Sequence, residues 1–314
     1  MFLYRNILNH GFFILDMSKI ALIGDVILDK YDYCSNRENP ESSAPCYNVE
    51  RTEYKPGGAG NVAANLSALG ADFELMSVIG NDGNAKILGT VLFNSNIPCN
   101  LIIDDNRETI VKERTLSIHD GRYHFRKDRE RKQYIDENHT SEILKHLSDT
   151  ELIVISDYNK GVISERLIER LKQTGKKIIA DFKPAHKDFY HDIFMIVPNM
   201  KEARQMSGLE NEIKAAEKLR KELGTRVLLK RSEKGISYFG LKGDSKLRVD
   251  FPAEAKKVFD VTGAGDSVLA AFSHFYIKGL NLEDCIKFAN KSAGIAVSYP
   301  GCYAVSEKEI FENY

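Results

Sequence analysis

The sequence predicts an α/β fold with a mostly parallel central sheet, helices on both faces and a small β-sheet lid. Two observations predict the main body. Short apolar runs bounded by turn residues recur along the chain, and segments of helical periodicity separate them. Strand-then-helix alternation of this kind implies parallel strands joined by crossover helices. A third observation predicts the lid: residues 31–55 and 98–127 break the rhythm, carrying β-rich sequence without a crossover helix.

Ile20–Ile23 is the first predicted strand. Residues 1–17 precede it; they are apolar in part but broken by Asn6, Asn9, His10 and Gly11, and no small-residue cleavage site follows. They are read as an N-terminal extension from an upstream start codon, with Met17 the functional start, and the competing reading is a weak targeting segment. The further predicted strands are Glu74–Ile79, Leu152–Ser156, Lys177–Ala180, Phe194–Val197 and Arg226–Lys230. The predicted helices are Asn61–Leu69, Asn84–Asn94, Thr140–His146, Glu165–Thr174, Met200–Met206, Ile213–Leu223, Gly265–Ile277 and Leu282–Val297. Within the lid, Tyr47–Tyr54 and Thr109–Ser117 carry the β-rich sequence. Residues 18–310 form one domain in this reading.

Composition narrows the function classes. The chain has 314 residues, 43% apolar and 28% charged, with a net charge of −1. A balanced surface excludes nucleic acid and anionic membrane as main partners. No apolar run reaches the ~18 residues that span a bilayer. The five cysteines, at 34, 46, 99, 285 and 302, form no CxxC pair. That count fits a reducing, cytoplasmic setting better than a disulfide framework or a zinc site.

Asp260-Val261-Thr262-Gly263-Ala264-Gly265-Asp266, followed by an apolar helix, is the strongest motif. Its glycines permit a tight turn that exposes successive N–H groups, and the helix dipole behind them favours an anion. A carboxylate in a site that only bound phosphate would repel the ligand. It makes sense where Asp266 takes a proton from a hydroxyl attacking phosphorus. The competing reading is an ordinary N-cap with a glycine turn.

The second motif is Lys55-Pro56-Gly57-Gly58-Ala59-Gly60-Asn61, before a helix. Glycines let a polar ligand approach the backbone, and Asn61 offers both a donor and an acceptor to sugar hydroxyls. A dinucleotide loop should follow the first strand directly, whereas this one lies about 35 residues later.

In this order and spacing the two motifs resemble the ribokinase-type carbohydrate kinases of the PfkB family, across nearly the whole chain from Ser18 to about Val305. The resemblance implies a ribokinase-like fold, ATP with magnesium (Mg2+), and phosphorylation of a sugar hydroxyl. Further stretches are similar to the heptose 7-phosphate kinase branch: Gly24–Tyr31, Arg37–Glu41, Ser156–Gly161, Arg231–Gly235 and Phe288–Asn290. That branch places phosphate on the anomeric oxygen of D-glycero-β-D-manno-heptose 7-phosphate, in lipopolysaccharide-core precursor synthesis. Many of its relatives carry a nucleotidyltransferase domain afterwards. The chain ends at Tyr314, which raises the expectation of kinase activity alone.

Carried over position by position, the resemblance implies that Asp29, Gly57, Gly58 and Asn61 line the sugar pocket. Asp266 is the base, and Gly263, Ala264 and Gly265 offer amides to the phosphoryl group. Asn199 and Glu202 match the element that organises magnesium, Glu202 through water, and the nucleotide phosphates. On its own, Asn199-x-x-Glu202 reads first as a helix capping pair. Ser232, Gly235 and Asn290 are expected along the nucleotide.

A phosphorylated sugar needs a cationic grip, and Lys55, Arg114, Arg126, Lys160 and Lys183 are candidates. Lys183 is also a candidate on the nucleotide side. A protruding lid with apolar positions suggests a homodimer. The chain departs from the branch at Asp181-Phe182-Lys183-Pro184, at Lys230 where the branch carries Thr, and at Glu38, Asn39, Ser42, Ser43, Cys46 and Tyr47. Three other readings are a kinase for another sugar, a nicotinamide-dependent oxidoreductase, and a non-catalytic sugar-binding relative.

Overall fold

A computed structural model describes residues 19–255 and 257–312, so the predicted extension 1–17 lies outside the described residues. The main sheet is built on β1 (Lys19–Gly24), β4 (Phe73–Gly80), β5 (Cys99–Asp104), β8 (Thr150–Asp157), β9 (Lys177–Phe182), β10 (Met195–Ile196), β11 (Arg226–Lys230), β12 (Ile236–Phe239) and β13 (Arg248–Phe251). Its order is β13-β12-β11-β10-β9-β8-β1-β4-β5. Every pairing from β11 to β5 is parallel; the β11–β12 and β12–β13 pairings are antiparallel.

Both faces of the sheet are buried, as side-chain alternation requires of a parallel sheet covered by helices. Ile20 and Leu22 of β1, with Leu152 and Val154 of β8, enter one core cluster; Ala21, Ile23, Ile153 and Ile155 enter the other. Helices α1 (Ala59–Ala68), α2 (Gly83–Asn94), α7 (Ala264–Ile277), α8 (Leu282–Ala296) and α9 (Glu307–Glu312) cover the first face. Helices α3 (Glu137–Lys145), α4 (Glu165–Gln173), α5 (Met200–Ser207) and α6 (Glu212–Leu223) cover the second. α7 is buried from Asp266 to Phe275 and packs on α1 and α8, with Val268–Phe272 and Phe275 as its apolar part. Burying Phe272 or Phe275 contributes about 1.5–3 kcal/mol each.

Side chains start most helices where the sequence places them. Asp82, Asp136, Ser164, Asn211 and Asn281 each accept a first-turn N–H.

The second sheet is the lid, in the order β3-β2-β6-β7, from β2 (Val26–Arg37), β3 (Cys46–Gly58), β6 (Val111–Ser117) and β7 (Tyr123–Arg129). Two boundaries differ from the sequence reading. β2 and β3 extend the lid to residues 26–58, so it grows directly out of β1 and runs directly into α1. Cys99–Asp104, expected in the lid, is instead the parallel edge strand of the main sheet, paired with β4. As an edge strand it leaves Ile103 49% exposed, so it lacks the continuous apolar run of the inner strands.

Candidate active site

Chain order reverses between β1 and β8: the chain runs outward through β4 and β5, then returns to β8 and β9. Ligands of open α/β sheets bind at such a switch point, beyond the carboxyl ends of the strands. Asp25, Asp157 and Asp181 stand at those ends, the lid rises beside them, and α1 and α7 begin there.

Asp266 is in the first turn of α7 and only 9% exposed. Its Oδ2 accepts from Asn61 Nδ2 at 2.6 Å, and its Oδ1 from the Tyr158 hydroxyl at 3.2 Å. Burial raises its pKa to about 6; the Asn61 bond opposes the rise, Asp181 adds to it, and Lys230 and Tyr158 oppose it. Burial and the Asp266 charge push the Tyr158 phenol well above its ordinary value, so Tyr158 stays a donor.

Gly263 caps α7 with φ of 80°, in the left-handed region. A Cβ there would lie 2.8 Å from Asn61 Nδ2, so the glycine makes room for the bond that orients Asp266. Amides of a first helical turn lack intrahelical acceptors and serve anions. Gly263 and Gly265 line a pocket of about 150 Å3 with Tyr158, Asp181, Lys183, Asn199, Glu202, Lys230 and Asp266. The expected Ala264 amide is placed otherwise: it points to the Val261 carbonyl at 3.4 Å.

Asn199 and Glu202 form a capping box at the start of α5, with the Glu202 N–H bonded to Asn199 Oδ1 at 2.9 Å and the Asn199 N–H bonded to Glu202 Oε2 at 3.0 Å. The capping pair and the pocket position therefore coexist in the same two residues. Glu202 Oε1 accepts from Lys183 at 2.7 Å. Against the upward push of burial, Lys230 and Lys183 hold the Glu202 carboxyl below its ordinary value. Both Glu202 oxygens are thus engaged. Among the described residues no cluster of three His, Cys, Asp or Glu side chains could hold a metal ion. A magnesium ion here would be carried mainly by phosphate and water, and Glu202 is the carboxylate that would reach it, through water.

On the lid side, Asp29 and Arg114 form an ion pair of 2.6 Å, with side chains 10% and 12% exposed. A Cβ on Gly57 would come within 2.2 Å of Asp29 Oδ2, and Gly58 adopts φ of 59°. Gly57 therefore makes room for Asp29, while a Cβ on Gly58 would meet the Asp25 carbonyl oxygen at 2.3 Å. Beneath the Tyr158 segment lies Asp25, buried, with Oδ2 accepting the Tyr158 and Lys160 N–H groups at 2.9 and 3.0 Å and Oδ1 accepting that of Val162 at 3.0 Å. Burial, with Asp157 nearby, raises the Asp25 pKa to about 6.

The structure brings Asp29, Gly57, Gly58, Asn61, Gly263, Gly265 and Asp266 together. Four of the five expected cations are already matched by carboxylates: Arg114 by Asp29, Arg126 by Asp128, Lys160 by Glu130 and Lys183 by Glu202, while Lys55 lies 5.5 Å over the Tyr31 ring. Arg126 is half-exposed. Lys112 had no role in the sequence reading, yet it shares a lid face with Arg114, two residues on, and lies 5.3 Å over the Tyr158 ring. Burial lowers its pKa against the pull of Asp29, and Arg126 and Lys160 add to the lowering.

Ser232, Gly235 and Asn290 stand outside the Asp266 pocket, toward β13. A Cβ on Gly235 would meet the Phe251 carbonyl oxygen at 2.0 Å, and Asn290 Nδ2 donates to the Pro252 carbonyl at 2.7 Å. A larger hollow of about 420 Å3, around Lys172, Lys177 and Arg226, opens at the opposite ends of β9–β11. Lys177 there donates to the Tyr276 hydroxyl and Arg226 is paired with Asp244, so it lacks the acid–base chemistry of the Asp266 pocket.

Tyr158, Asp25, Asp181, Lys112 and Lys230 carried no role in the sequence reading. Their signal was position: polar residues at the carboxyl ends of predicted parallel strands, and a basic residue alternating with Arg114.

Residues 17–309 match the profile of the pfkB family carbohydrate kinases. The chain is 33% identical over 310 residues to "Bifunctional protein HldE" of Sulfurimonas denitrificans, covering 94% of this chain and 64% of that protein. It is 34% identical over 317 residues to the protein of the same name from Nitrosococcus oceani, covering 96% and 65%. The chain thus spans just under two thirds of these relatives' length. Its fold is similar to that of phosphofructokinase-2 from Escherichia coli (TM-score 0.76, 18% identity, 94% and 97% of the two chains). It is also similar to Arabidopsis thaliana ribokinase complexed with ribose and ATP (TM-score 0.73, 20% identity, 94% and 98%).

Proposed function

The chain belongs to the pfkB family of carbohydrate kinases, and on that footing we propose that it moves the γ-phosphoryl group of ATP onto the anomeric O1 of D-glycero-β-D-manno-heptose 7-phosphate. The observation that carries the reading is Asp266: a buried carboxylate held by Asn61 and Tyr158 at a glycine turn that opens a helix. The relatives named HldE support the heptose phosphate as acceptor.

The sugar lies under the lid against Asp29, Gly57, Gly58 and Asn61, with its acceptor hydroxyl toward Asp266. Phosphoryl transfer passes through a loose transition state, so the base must be placed more than it must be strong. Asn61 and Tyr158 do the placing, and Asp266 receives the hydroxyl proton on a carboxylate oxygen. The amides of Gly263 and Gly265 face the transferred group, and Lys183 and Asn199 face the nucleotide phosphates. Ser232, Gly235 and Asn290 lie along the rest of the nucleotide. Magnesium, when bound with the nucleotide near Glu202, supplies charge neutralisation to its phosphates.

The lid supplies the grip on the sugar's own phosphate, through Lys112 and Arg114 with Arg126 and Lys160 at its margin. Arg126 and Lys160 would exchange their carboxylates for the phosphate. Val49, Tyr123 and Phe125 are exposed on the lid, which supports pairing of two lids in a homodimer.

An ADP-release assay over a sugar panel tests the reading, with phosphorus NMR locating the new ester. The expected result is a kcat/KM for heptose 7-phosphate at least ~10²-fold above that for unphosphorylated sugars, consistent with loss of one or two charged hydrogen bonds. A preference for a neutral sugar would overturn it. Lys112→Met is expected to raise KM for the sugar phosphate by ~10-fold or more, with little change for an unphosphorylated sugar. The pH profile follows from Asp266. It must be ionised to accept a proton, and its pKa stands at about 6. Hence kcat/KM should fall about tenfold per pH unit below that value and level off above it.

A further inference from the structure

We propose that Lys230 is a catalytic residue: its ammonium contacts the transferring phosphoryl group, while Asp181 holds it in place. The inference rests on the ATP-dependent kinase reading and deepens it. Lys230 ends β11, with its N–H bonded to the Pro198 carbonyl at 2.9 Å and its backbone bridged to Asn199. From there the side chain crosses the end of β10 to Asp181 on β9, two strand spacings away, roughly 9–10 Å. Both side chains are well enclosed, 13% and 16% exposed.

The ammonium ends directly over the glycine turn. A Cβ built on Gly265 would lie 3.1 Å from Lys230 Nζ, and Lys230 lines the same pocket as Gly263 and Asp266. An ammonium has three donors, and the bond to Asp181 uses one. Charge balance supplies the reason for a cation here. The pocket holds three carboxyls, Asp181, Glu202 and Asp266, against the ammoniums of Lys183 and Lys230. With all of these ionised the pocket carries a net charge of −1; without Lys230 it would carry −2 against an incoming polyanionic phosphoryl group. A fixed cation in an enclosed site, aimed where charge develops, is the arrangement that stabilises a transition state. Lys183, paired with Glu202 at 2.7 Å, is 40% exposed and so is the less enclosed of the two ammoniums.

The competing role is neutralisation of Asp181, whose carboxyl burial pushes up. Asp181→Asn separates the two. Lys230→Met is expected to lower kcat ~10²-fold or more with KM for the sugar nearly unchanged. Calorimetric titration should show affinity for the β,γ-imido analogue of ATP falling ~10-fold while affinity for ADP barely moves. The double variant Asp181→Asn/Lys230→Met should stay as slow as Lys230→Met. Recovery of the double variant to the rate of Asp181→Asn alone would overturn the proposal, as would equal losses of analogue and ADP affinity. A wild-type enzyme that binds the analogue yet phosphorylates no sugar would refute the substrate reading alone, because the analogue-to-ADP ratio still decides Lys230.

Discussion

Asp266→Asn is expected to lower kcat by ~10²–10⁴-fold, the range for loss of a positioned base, with ATP affinity changed only a few-fold. Asn has nearly the same shape but cannot take the hydroxyl proton. The Gly263 and Gly265 amides and Lys230 remain, so nucleotide binding should persist. Stability separates chemistry from misfolding. The pKa of Asp266 is raised to about 6, so its contribution to stability is fully present below the ordinary carboxylate value near 4. That contribution is lost as pH rises through 6, where a buried charge must be carried. The Asn variant should therefore melt no lower than wild type at pH 8, and the difference should shrink toward pH 5. Thermal melts at the two pH values beside steady-state rates check both halves. Turnover near wild type would remove Asp266 from the role of base.

Asp25→Ala should be the most destabilising single change near the site. Asp25 accepts three backbone N–H groups from residues 158, 160 and 162 and is buried beneath the loop. Each buried donor left unsatisfied costs about 1–3 kcal/mol, so the variant should lose roughly 3 kcal/mol or more. The loop so released carries Tyr158, one of the two donors on Asp266. Turnover should therefore fall as well, even at a temperature where the variant is folded. Urea unfolding and kcat on the same preparation measure this. A loss under 0.5 kcal/mol would mean that the loop amides find other acceptors.

Much of this molecule could be read before any coordinates. The six predicted strands and eight predicted helices are present within a few residues of their expected bounds. The glycine turn at Asp266 and the capping pair Asn199–Glu202 were also legible, because each is a local pattern of backbone and cap chemistry. Elements that lacked a local signature were not. Cys99–Asp104 is an edge strand with a mixed face, while Ile236–Phe239 and Arg248–Phe251 are four-residue strands. Each is held by its neighbours more than by its own periodicity.

The sequence alone determined the layered α/β body, the lid and the carboxylate at the head of α7, since side-chain period and turn chemistry are properties of short stretches. The tertiary structure decided which side chains meet. Asn61 reaches Asp266 across 205 residues, Tyr158 across 108, and Lys230 reaches Asp181 across 49. Burial then decided that Asp266 titrates near 6, because the desolvation of a charge depends on everything packed around it.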